Sequence, residues 1–107
     1  MIFSGIEDPR GYKISCTKEQ WHEHILKRHP NMVGYEKEVI KTIQYPDLPI
    51  FQDTDYNDRN VYYSIYRKIQ GQNYYIKAIV EINQEKSEGH LITAFKTLNT
   101  KPGERMI

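Results

Sequence analysis

The second half of the chain reads as strand and little else. Residues 60–68, 73–83 and 90–98 are three runs rich in Tyr, Ile and Val, the aromatic and β-branched residues that suit a pleated, half-buried surface. The separators carry glycine. Gln70-Gly71-Gln72-Asn73 is a hairpin turn, and residues 83–89 form a longer, charged one. Sequential runs joined by such turns predict an antiparallel meander of three to four strands.

The first half changes period. Residues 12–16 read as a short strand, after which Thr17 and Gln20 have the spacing of a capping box, in which two side chains satisfy N–H groups that a helix start leaves unpaired. The helix runs over residues 18–29 and stops before Pro30, which lacks a backbone N–H and restricts the residue before it. Tyr35, Val39, Ile40 and Ile43 recur at helical spacing, and this second helix ends before Pro46. Pro49 confines residues 47–53 to an edge strand or extended lead-in, and 53–60 is a polar loop. The tail, 99–107, turns back over one face or frays at Pro102-Gly103. The expected fold is α+β, one domain over residues 1–107, with N-terminal helices packed on one face of the sheet.

Composition narrows the partners. Fifteen Lys and Arg stand against fourteen Asp and Glu, so no global field draws the chain to a polyanion, and any such site is local. The single Cys16 excludes an internal disulfide and, on a strand, reads as a small buried hydrophobe. The N-terminus lacks the pattern of a signal peptide, and no run approaches the ~20 apolar residues of a membrane span. A cytoplasmic protein with no membrane partner is expected.

Chemistry gathers on the first helix, Trp21-His22-Glu23-His24-Ile25-Leu26-Lys27-Arg28-His29-Pro30. At ~100° per residue, Trp21, Ile25 and Leu26 form its buried stripe, with His22 and His29 on one edge and His24 and Arg28 on the other. His22 and His24 are two apart and diverge, whereas helical metal ligands stand four apart, so no metal cofactor is expected. Imidazoles also serve as acid and base near neutrality, and RNA cleavage without metal needs one of each plus a cation for the phosphate. The plain alternative is that His29 sits at a helix C-terminus favoured by the dipole and His22 is a satisfied edge residue.

Alternation assigns strand faces. It groups Tyr75, Lys77, Ile79 and Glu81; Leu91, Thr93, Phe95 and Thr97; His90, Ile92, Ala94 and Lys96; and Val61, Tyr63, Ile65 and Arg67. The face away from the helices thus offers tyrosines among cations, with Lys77, Arg67, Lys96 and Glu81, together with Arg28 of the first helix, as candidate RNA contacts through stacking and phosphate pairing. The same residues also suit an ordinary solvated sheet face.

The helix motif, the segment Tyr45-Pro46-Asp47, the strand 74–82 and Gly89-His90-Leu91-Ile92-Thr93-Ala94-Phe95 together resemble the phage and prophage (PBECR) branch of the barnase/EndoU/colicin/RelE-like nuclease superfamily, over residues 12–107. The resemblance implies helices packed on a four-stranded antiparallel sheet and a metal-independent ribonuclease acting on tRNA or mRNA, of toxin or effector type, with a protein antitoxin or inhibitor as a further partner. It carries functional roles to His24, His29 and Thr93: the histidines as acid or base, Thr93 holding a phosphate or orienting a histidine, with Arg28 and Lys77 stabilising charge. The alternative on the same scaffold is an inactive module that binds RNA or protein.

Overall fold

The computed structural model describes residues 1–101 and 104–107; the Pro102-Gly103 turn expected in the tail lies outside them. One mixed sheet of seven strands organises the chain, in the order β1-β2-β6-β5-β4-β3-β7. The strands are β1 (Phe3–Glu7), β2 (Lys13–Cys16), β3 (Phe51–Gln52), β4 (Arg59–Ile69), β5 (Gln72–Asn83), β6 (Glu88–Thr97) and β7 (Arg105–Met106). This overturns the expected three- to four-stranded antiparallel sheet under N-terminal helices, and with it the four-stranded sheet that the resemblance implied. The extra strands are recruited by distant partners. β2 runs parallel to β6, with Ile14 beside Gly89 and Ser15 beside His90, and β1 pairs antiparallel with β2. On the opposite side β3 pairs with both β4 and β7.

The centre of the sheet is the β4–β5–β6 meander. Its first hairpin closes on Gln70 and Gly71, whose φ angles of 50° and 77° are both positive. That is the backbone a two-residue turn needs to match strand twist, and glycine adopts it without strain. The meander carries two bulges, one in β4 between Ile65 and Arg67 and one in β6 opposite Ile79 and Val80. The second bulge shapes the candidate site.

Helix α1 begins with a π-wound stretch, Gln20–Ile25, and closes with an α turn, Leu26–Arg28. The Thr17 hydroxyl accepts from Gln20 N at 3.0 Å, as a cap should. The Gln20 amide, however, donates to the Ile92 carbonyl at 2.6 Å, so it ties the helix start to β6 instead of closing a capping box. Trp21 and Ile25 are buried. His29 leaves the helix with φ −131° and ψ 71°, consistent with the residue before a proline being pushed out of helical geometry. A 3₁₀ turn, Pro30–Met32, leads to α2 (Glu36–Gln44), which buries Val39, Thr42 and Ile43. Val39 and Ile43 join Trp21 and Ile25 of α1 and Tyr62, Ile76, Ala78, Val80 and Leu91 of the sheet in one core, so α1 and α2 cover a single inner face of the sheet. Among the described residues, no helix is long and apolar enough to cross a membrane. Cys16 is free and buried, and burial raises its thiol pKa to about 11, which makes it a packing group and not a nucleophile.

Candidate functional site

Strict alternation along β6 places His90 opposite Thr93. The bulge undoes this. Glu81 pairs with His90 and Val80 with Leu91, but Ile79 pairs with Thr93, so Ile92 is the extra residue. His90, Thr93, Phe95 and Thr97 therefore share the outer face, while Leu91, Ala94 and Lys96 turn inward. Their cross-strand neighbours on that face are Glu81, Ile79, Lys77 and Tyr75.

His29 reaches this face around the open edge of β6. Its imidazole stacks on Phe95, with ring centroids 4.9 Å apart and planes inclined by 23°. Burial lowers the His29 pKa, and the nearby Arg28 lowers it further. The neutral imidazole, free to accept a proton, is thus favoured near neutrality. Two residues from Phe95 along the same strand face, the Thr93 hydroxyl is buried and has no hydrogen-bond partner among the described residues. A buried hydroxyl left unpaired is uncommon in a folded chain and needs an explanation.

Beyond Phe95 the face is closed. Lys77 Nζ lies 5.7 Å from the Phe95 ring centroid and 5.4 Å from that of Tyr63, and it pairs with Glu104 at 3.0 Å, the two side chains being 7% and 2% exposed. Glu104 also accepts from the Tyr63 hydroxyl at 2.8 Å. Burial, and then this bond to a carboxylate, raise the Tyr63 pKa. The tail thus returns to the sheet and fills part of the face on which tyrosines and cations were expected to lie open.

The remaining candidates scatter. Lys96 is on the inner face, where its ammonium sits 3.7 Å from the Tyr35 ring centroid and donates to the Asn31 carbonyl at 3.2 Å. Residues 29–31 therefore straddle β6, held by Phe95 on one side and Lys96 on the other. Arg67 and Glu81 are exposed. His22, His24 and Arg28 are exposed on α1. The structure brings His29, Thr93 and Lys77 to one face and leaves His24 and Arg28 on the helix surface. Among the described residues, no three His, Cys, Asp or Glu side chains cluster as a metal would require.

Three residues of this face escaped sequence reasoning. His90 was assigned to the other side of the strand by a regular period of two, and a bulge of one residue leaves no compositional mark. Phe95 reads from the sequence as a strand residue, but nothing local links it to His29. Glu104 lies in a tail whose pairing is decided 27 residues away from Lys77. No protein family profile, no curated protein and no solved structure was found to match the chain.

Proposed function

We propose that this chain is a metal-independent endoribonuclease of the cytoplasm, with the outer face around β6 as its site. The observation that carries this reading is the stacked, proton-accepting imidazole of His29 on the same strand face as the unpartnered hydroxyl of Thr93. In the reaction, His29 removes the proton of a 2′-hydroxyl, and the 2′-oxygen attacks the adjacent phosphorus. The 5′-oxygen departs with a proton supplied by water, leaving a 2′,3′-cyclic phosphate and a 5′-hydroxyl. Thr93, its hydroxyl buried beneath this face, shapes the site, and Arg28, exposed and next to His29 in sequence, offers charge to the phosphate. Lys77 is neutralised by Glu104 and takes no part while that pair is closed.

The resemblance of the His-rich helix and the 89–95 segment to PBECR nucleases supports the same reaction class, and it extends the proposal to tRNA or mRNA as substrate and a protein antitoxin as partner. Incubation with total tRNA in EDTA, beside an oligonucleotide carrying 2′-deoxy sugars, tests it. Cleavage of the tRNA to cyclic-phosphate ends, with the deoxy oligonucleotide intact, is expected. Cleavage that requires added metal would overturn it. Salt-sensitive RNA binding without cleavage would instead show a binding module.

A further inference from the structure

A cavity of about 700 Å³ is lined by the 9–10 loop, the end of α2, residues 45–50 leading to β3, and Ile107, and by none of the histidines. Its wall is apolar. Three prolines, Leu48, Ile50 and Ile107 form most of it, Gln44 and Tyr45 add polar groups, and Arg10 is its one charged side chain. A volume in this range with a few fixed polar groups is typical of a small-molecule site.

The loop before β2 is built to hold that arginine. Asp8, 4% exposed, accepts through Oδ1 from the backbone N–H groups of Arg10 and Tyr12 at 2.9 and 3.0 Å. Its Oδ2 accepts from Arg10 Nε at 3.0 Å, from Arg10 Nη2 at 2.8 Å and from the Tyr62 hydroxyl at 2.8 Å. Nη2 also donates to Asn60 Oδ1 at 2.7 Å and to the Tyr62 oxygen at 3.1 Å, and the guanidinium lies 4.5 Å from the Tyr12 ring centroid. Nε and Nη2 are thus committed, whereas Nη1 makes no hydrogen bond among the described residues. Arg10 is itself exposed, and a long side chain at the surface held by a buried carboxylate, an amide and a phenol is preorganised for recognition.

We infer that the cavity binds a small monocarboxylate with an apolar body. The carboxylate meets the Nη1 edge of Arg10 and the hydrocarbon lies on the prolines, Leu48 and Ile50. Asp8 offsets most of the arginine's charge, so what draws a carboxylate is the charge-assisted donor edge at Nη1 and not a net field, while a second negative charge, as on a phosphate monoester, has no cation to meet. The site is independent of the proposed cleavage.

Titration of the isotope-labelled chain with octanoate, octanol and octyl phosphate, followed by NMR at the Gln44 and Ile50 amides, tests the inference. Octanoate is expected to saturate, with shifts confined to the cavity wall, and to bind at least about tenfold more tightly than octanol or octyl phosphate, as one charge-assisted hydrogen bond allows. Arg10→Gln should abolish that preference. Because it also strips Asp8 of its partner, Leu48→Asp is the second variant: it leaves the Asp8 cluster intact and should weaken octanoate by repulsion. Equal affinity for octanoate and octanol, tighter binding of octyl phosphate, shifts outside the wall, or no saturation below about 10 mM would overturn the inference.

Discussion

The imidazole of His29 lies flat against the ring of Phe95, and this contact fixes a helix C-terminus to the outer face of a sheet whose inner face that helix covers. Phe95 helps to bury His29, and burial is the main cause of its lowered pKa. Phe95→Ala should therefore raise the His29 pKa toward the ordinary value of ~6.5, read from the imidazole proton shifts in an NMR titration. The same depression has a sign for stability. The folded state binds the proton less well than the unfolded chain, so the contribution of His29 is full above about pH 6.5 and is lost as the pH falls from there through the folded value. Removing Phe95 should flatten that part of the pH–stability curve.

The Lys77–Glu104 pair is nearly sealed from water, so breaking one half leaves a buried charge unmatched. Glu104→Ala should destabilise the fold by about 3–5 kcal/mol, measured by urea unfolding. The double variant Lys77→Met, Glu104→Leu should recover only part of that loss, because the two apolar side chains need no pairing but the buried Tyr63 hydroxyl still loses its acceptor.

Gly89 stands where β2, β6 and β5 run side by side. A Cβ there would lie 2.7 Å from the Glu81 carbonyl oxygen and 2.9 Å from side-chain carbons of Val80 and Ile82. The nearest atom is backbone and cannot swing away. Gly89→Ala should cost about 1–3 kcal/mol by overpacking, seen as a lower midpoint in thermal unfolding.

The sequence made the middle of this fold legible because its signals are local. Residues 60–68, 73–83 and 90–98 alternate or carry β-branched and aromatic side chains, Gly71 marks the hairpin, and Pro30 stops α1. What it hid depends on contacts between distant segments. Phe3 is buried and Phe3–Glu7 pairs with β2, yet the stretch contains Gly5 and no clear alternation. β7 has two residues and exists because β3 offers it an edge. At the site, His29 and Thr93 were visible as residue types, while their shared face with His90 follows from one extra residue in β6 that no periodicity announces.

The most direct measurement is the rate at which the folded chain cleaves tRNA in EDTA, compared across single variants. His29→Ala should lower the rate by about 10²–10⁴-fold, the usual contribution of a positioned acid or base. Thr93→Val should lower it less, and His22→Ala should leave it unchanged. Undiminished cleavage by a folded His29→Ala variant would contradict the assignment of the outer face as the site.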